Sequence, residues 1–215
     1  VERSRGLGDV YKRQVKSLNS TKYSIMPDRI EAGTYMIASG ITQSSLTLNN
    51  ILIDHLKNII IVLKKIGFKF KFISNTSLKI LPSKSKPIKI KTVPYPGFPT
   101  DMQAQLMSLL ILTKGTSEIK EDIFENRFLH VLELQRMGAN IQINNNVAKI
   151  TGIDKLSGAE VMATDLRASV CLVLAGLVAR GKTVINRVYH LERGYEDLVK
   201  KLKKCGAKIK FLNVR

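Results

Sequence analysis

Four short strings of the 215-residue chain carry side chains able to do acid–base or anion-binding chemistry. In Pro96-Gly97-Phe98-Pro99-Thr100-Asp101-Met102-Gln103-Ala104-Gln105 two prolines and a glycine stiffen the approach to a helix, and Asp101 follows Thr100 at its start. A carboxylate at that point is held ionised by the positive end of the helix dipole. It can be a plain N-cap, or a general base at the mouth of a site. In Ile123-Phe124-Glu125-Asn126-Arg127-Phe128, followed by His130, charged groups crowd between apolar ones just before a helix. Glu125 and Arg127 can form a structural ion pair, or Arg127 or a backbone group can reach a ligand. Asp165 and Arg167, flanking Leu166, lie in the first turn of a very apolar helix, where an arginine is unfavourable unless an anion accompanies it. That anion can be a neighbouring carboxylate, Asp165 included, or a ligand phosphate. In Leu191-Glu192-Arg193-Gly194-Tyr195-Glu196 an arginine again stands where a helix is expected to begin, a setting that suits phosphate.

The elements that must position these groups repeat along the chain. Leu63-Lys64-Lys65-Ile66-Gly67-Phe68-Lys69-Phe70, Leu134 to Ile141 and Leu202 to Ile209 share one pattern: the last turn of an amphipathic helix, a glycine, then an alternating strand. A second pattern interleaves with it. Asp28, Asp101 and Asp165 each open a helical stretch that closes on Gly40, Gly115 or Gly181. Each leads into a strand, at 45–48, 117–121 or 182–188, and further short strands are expected at 147–150 and 160–162. Three such units predict an α/β chain with approximate threefold symmetry, the first unit clipped at its N-terminal side. If the units are so related, the helix starts bearing Asp101, Asp165, Arg167 and Arg193 face one common end and form a site for anions.

Composition narrows the class. Hydrophobic residues make up 44% and charged residues 24%, as in globular proteins, and no eighteen-residue apolar run free of charge predicts a membrane span. The formal charge is +18, with ten lysines and no acidic residue between Lys57 and Lys91. Many alternate with apolar residues, which describes the wet face of strands. No tryptophan is present and few aromatics look exposed, so nucleic-acid binding is poorly supported. Cys171 and Cys205 sit in apolar patterns and are expected as buried thiols in a reducing cytoplasm. His130 and His190 lack further ligands at metal spacing and are expected to be structural; no metal or cofactor is anticipated. Residues 1–14 show no periodicity and are expected to be a disordered or non-native tail, with one domain over 15–215.

The strings 98–105, Asp28-Arg29-Ile30-Glu31-Ala32-Gly33-Thr34, Phe124-Glu125-Asn126-Arg127-Phe128, Leu156-Ser157-Gly158-Ala159, Thr164-Asp165-Leu166-Arg167-Ala168-Ser169 and Arg193-Gly194-Tyr195-Glu196 together resemble the UDP-N-acetylglucosamine 1-carboxyvinyltransferase family of enolpyruvyl transferases. The resemblance implies an inside-out α/β barrel, an alpha-beta prism of three repeated βαβαββ-type units, as one domain of a two-domain fold. It implies transfer of enolpyruvyl from phosphoenolpyruvate to the 3-hydroxyl of UDP-N-acetylglucosamine, the opening of peptidoglycan synthesis in the cytoplasm, without cofactor, nucleic acid or membrane. By the same resemblance Asp101 matches the general base near the sugar hydroxyl, and Ile123 a largely backbone contact to the UDP-sugar. Arg193 matches an arginine near the phosphoenolpyruvate phosphate. Asp165, Leu166 and Arg167 match the phosphoenolpyruvate end of the cleft, and Thr100 and Arg127 are counted with the substrate-binding set. The family's other, N-terminal domain, with its loop cysteine, has no counterpart here, and neither Cys171 nor Cys205 matches that cysteine. The chain alone is therefore expected to be inactive. The alternatives are another enolpyruvyl transferase with a different acceptor and a basic nucleic-acid-binding module.

Overall fold

Three helices that are buried nearly all round meet in the interior. They are α1 (Arg29–Ile41), α3 (Gln103–Leu110) and α5 (Leu166–Gly176), which contact one another pairwise. A helix buried on all sides needs no polar stripe: α1 buries every residue from Ala32 to Ile41, and α3 every residue along its length. The computed structural model describes residues 17–81 and 83–212; the tail expected at 1–14 lies outside the described residues.

Sheets lie outside these helices. The strands β1 (Leu46–Leu48), β3 (Ser77–Leu81) and β2 (Lys69–Ser74) form an antiparallel sheet in that order. A second sheet runs β4 (Lys89–Lys91), β5 (Thr116–Lys120), β7 (Val147–Thr151), β6 (Asn140–Asn144), and β8 (Glu160–Met162) pairs in parallel with β9 (Val184–Asn186). The lysine alternation is explained by register. Lys71 pairs with Lys79 on the wet face, whereas Phe70 and Ile80 pair on the face toward the core. Three amphipathic helices complete the α-helices of the described residues: α2 (Ile53–Ile66), α4 (His130–Arg136) and α6 (Leu198–Lys204). In α2 the buried set is Leu56, Ile59, Ile60, Leu63 and Ile66, the 3–4 spacing of one helical face.

Expectation and structure part at several points. Gly67, Gly138 and Gly206 do end α2, α4 and α6 with positive φ; at Gly67 a Cβ would lie 2.7 Å from the Lys84 carbonyl oxygen. Gly40, by contrast, lies inside α1 and closes nothing. A Cβ there would stand 2.0 Å from the Phe68 ring, so packing requires that glycine, and Gln43 takes the left-handed turn instead. After Gly206 no strand forms among the described residues. An extended segment needs a neighbouring strand for its N–H and C=O groups, and 207–212 pair with none. Cys205 is correspondingly exposed rather than buried, one residue past the end of α6, while Cys171 is buried as expected. Among the described residues no helix is long and apolar enough to cross a membrane.

Candidate active site

Asp101 does not cap a helix. It lies in a 3-10 turn, Thr100–Met102, leading into α3, and its carboxylate turns toward two arginines. Arg127 Nη2 donates to Asp101 Oδ1 at 2.7 Å, and Arg167 reaches the same oxygen through Nε at 3.0 Å and Nη2 at 2.8 Å. Partial burial favours the neutral acid, but the hydrogen bonds and charges of Arg167 and Arg127 outweigh it and hold the carboxyl below the ordinary aspartate range. The anion that Arg167 needs at the start of α5 is thus Asp101, 66 residues away in sequence. Asp165 caps that helix, accepting from the Arg167 N–H at 2.7 Å. Arg127 pairs with Asp101 rather than Glu125.

The N-terminal ends of the three inner helices converge here. Gln105, in the first turn of α3, donates to the Asp101 carbonyl at 2.8 Å, and its amide lies 3.3 Å from both Thr34 Oγ1 on α1 and the Tyr195 hydroxyl. Thr34 Oγ1 and Tyr195 share a 2.9 Å hydrogen bond. Tyr195 therefore ties the Arg193-Gly194 segment to α1 and to α3, the helix that follows the Asp101 turn. Gly194 packs against Leu166, whose Cδ2 would lie 2.7 Å from a Cβ there and would have to shift. Arg193 itself lies in the last turn of a 3-10 helix, Val188–Arg193, not at a helix start, because the next helix begins only at Leu198. Its side chain is exposed and joins none of the ion pairs found among the described residues.

Thr100 and Ile123 meet through a residue that the sequence placed only at the end of a strand. Glu121, one position beyond β5, accepts from the Thr100 hydroxyl at 2.8 Å and from the Ile123 N–H at 3.0 Å. Beside it an open groove of about 890 Å³ is lined by Ile123, Phe124, Arg127, Leu129, Ile143 and Asn146, among others. That volume is within the range of small-molecule sites. Gln105 and Tyr195 stand inside strings already singled out, but no local pattern marks a residue whose partners lie up to 161 positions away. Among the described residues no cluster of three metal-ligating side chains occurs. His190 is half-buried, its ring 4.0 Å from that of Tyr189.

His130 is buried at the start of α4, and its Nε2 has no hydrogen-bond partner among the described residues. Burial drives its pKa down to about 4; Asp165 opposes this and Arg127 adds to it. The unfolded chain takes up this proton near pH 6.5, whereas the folded one holds out to about pH 4. Stability therefore falls as pH drops through that window, by on the order of 3 kcal/mol in all. Urea midpoints measured from pH 7 to pH 4.5 should show this slope in the native chain and a flatter one in His130→Phe.

Comparison with known proteins gives the chain its relatives. The EPSP synthase (3-phosphoshikimate 1-carboxyvinyltransferase) family profile matches residues 6–202. A UDP-N-acetylglucosamine 1-carboxyvinyltransferase of Pelagibacter ubique (strain HTCC1062) is 57% identical over 199 residues, 93% of this chain and 48% of that protein. One of Orientia tsutsugamushi (strain Ikeda) is 54% identical over 196 residues, 91% of this chain and 47% of that protein. The chain thus spans about half the length of these curated relatives. Among solved structures, the enolpyruvyl transferase NikO from Streptomyces tendae superposes with a TM-score of 0.80 at 28% identity, over 87% of this chain and 45% of that one. An EPSP synthase from Acinetobacter baumannii, at TM-score 0.60 and 18% identity over 77% of this chain and 40% of that one, shares the fold.

Proposed function

We propose, since the chain belongs to the EPSP synthase family of carboxyvinyl (enolpyruvyl) transferases, that it supplies one half of an active site that transfers enolpyruvyl from phosphoenolpyruvate to the 3-hydroxyl of UDP-N-acetylglucosamine. The fold read this way is one alpha-beta prism of three units, with the inner helices pointing their positive ends at the cleft. The observation that carries the reading is the Asp101 carboxylate bridged by Arg127 and Arg167 where those helix ends meet.

Asp101 accepts the proton of the sugar 3-hydroxyl as its oxygen adds to C2 of phosphoenolpyruvate, while C3 gains a proton from the half of the site this chain does not supply. The tetrahedral adduct then loses a proton from C3, the C2–O bond to phosphate breaks, and inorganic phosphate leaves. Unliganded, Asp101 is a weak base because two guanidinium groups stabilise its anion. An anionic substrate that takes up either arginine raises the carboxylate's basicity as the reactants assemble. Arg193 faces the phosphoenolpyruvate phosphate, with Asp165, Leu166 and Arg167 beside it. Ile123 contacts the UDP-sugar through its backbone, flanked by Thr100 and Arg127. In this role the chain works in the cytoplasm at the opening of cell-wall peptidoglycan synthesis.

The test is phosphate release from phosphoenolpyruvate by the complete gene product, with UDP-N-acetylglucosamine or shikimate 3-phosphate as acceptor. Turnover with the UDP-sugar alone is expected, and negligible turnover by the 215-residue chain, because the two substrates are not jointly positioned. Preference for shikimate 3-phosphate, or no release with either acceptor, overturns the assignment.

A further inference from the structure

We infer that Glu121 is a positioning residue that sets the spacing between the Asp101 turn and the Ile123 loop, so that one buried carboxylate joins the base to the sugar-contacting backbone. The inference rests on the function proposed above. Glu121 is 2% exposed. Its Oε1 accepts from Thr92 Oγ1 at 2.9 Å, from the Ile123 N–H at 3.0 Å and from the Phe124 N–H at 3.2 Å, and its Oε2 accepts from Thr100 Oγ1 at 2.8 Å. All four donors are neutral. Its own backbone is fixed from the other side: the N–H donates to the Asn146 carbonyl at 2.8 Å, and the C=O accepts from Asn146 Nδ2 at 3.1 Å.

A carboxylate taken out of water without a cation is unfavourable unless every lone pair is engaged. An apolar side chain in the same space would spare the carboxylate's desolvation but leave the Thr92, Thr100, Ile123 and Phe124 donors without an acceptor. What the carboxylate does, and an apolar group could not, is hold three separate segments at fixed separations. Those segments are the end of β4 through Thr92, the 3-10 turn through Thr100, and the loop after β5 through Ile123 and Phe124. Thr100 is the residue before Asp101, so the hydrogen bond to Oε2 fixes the base, and the bonds to Oε1 fix the loop. Charge-assisted hydrogen bonds are short and directional, which makes this spacing stiff. A base displaced by an ångström from its substrate hydroxyl loses a large part of its rate.

The two oxygens make distinguishable demands. In Glu121→Gln the amide oxygen can keep the three donors on the Oε1 side. The new NH₂ then meets Thr100, whose hydroxyl can reverse and accept, so the side chain still fits. The anion that stiffens the arrangement is gone. In the complete gene product, Glu121→Gln is expected to lower kcat at least about tenfold and to raise KM for UDP-N-acetylglucosamine, leaving KM for phosphoenolpyruvate within about twofold. Thr100→Val should lower kcat similarly and Thr100→Ser should restore it. The Glu121→Gln, Thr100→Val double variant should be no slower than the slower single, because both break one linkage. Hydrogen exchange of the peptide covering 122–126 should accelerate in Glu121→Gln, while that of β7 stays unchanged. A merely structural Glu121 would reduce the amount of folded enzyme and leave both KM values alone. Unchanged kcat, losses that multiply in the double variant, or unaltered exchange at 122–126 each overturn the inference. A wild-type product without turnover refutes the enzyme assignment separately, and the exchange result then still decides whether Glu121 fixes the loop.

Discussion

Asp101→Asn is expected to lower kcat of the complete gene product by about 10²- to 10⁴-fold, the range a positioned general base contributes. Asparagine keeps the shape and can still accept from an arginine, but it cannot take a proton from a hydroxyl. It also removes the negative charge that Arg127 and Arg167 share at 2.7 Å and 2.8 Å. Those two guanidinium groups then face the cleft uncompensated, which favours anions. KM for phosphoenolpyruvate should therefore stay level or fall, while kcat collapses. Steady-state phosphate release over a range of both substrates separates the two effects. A kcat within about threefold of the native value would remove Asp101 from the proton transfer and leave it as an anchor for the arginines.

Leu106→Ala should cost about 2–5 kcal/mol of folding stability. Leu106 is fully buried on α3. That helix contacts both other inner helices, so its neighbours cannot close in on the vacated space without moving α1 or α5. Against a typical total of about 5–15 kcal/mol, such a loss is a large fraction. Urea unfolding followed by circular dichroism should show a lower midpoint with an unchanged slope. A loss under about 1 kcal/mol would mean that the inner helices are loosely packed, and that the site's geometry does not depend on their contact. Because α3 begins just after Asp101, the same variant should also lose catalytic rate at temperatures where it remains folded.

The sequence by itself determined the local elements. Glycines after amphipathic helices marked three helix ends at Gly67, Gly138 and Gly206, because only a residue without Cβ adopts the required positive φ at little cost. Alternation of lysine with apolar residues marked β2 and β4, and the Leu63-to-Ile66 pattern marked the last turn of α2. It also pointed to the family, and it offered Asp101, Arg127, Asp165, Arg167 and Arg193 as candidate site residues by their types and neighbours. It did not determine which of these groups touch. Gly40 looked like a helix end but is fixed by the Phe68 ring, and the strand expected after Gly206 lacks a neighbour to pair with. Tertiary structure alone decided that Arg127 and Arg167 share Asp101, that Tyr195 reaches Thr34 and Gln105, and that Glu121 joins Thr100 to Ile123. The reason is one of range. Caps, turns and periodic faces arise from interactions within a few residues, which a string of letters records. A hydrogen bond between side chains 66 or 161 positions apart depends on how helices and sheets pack, and packing is a property of the whole chain.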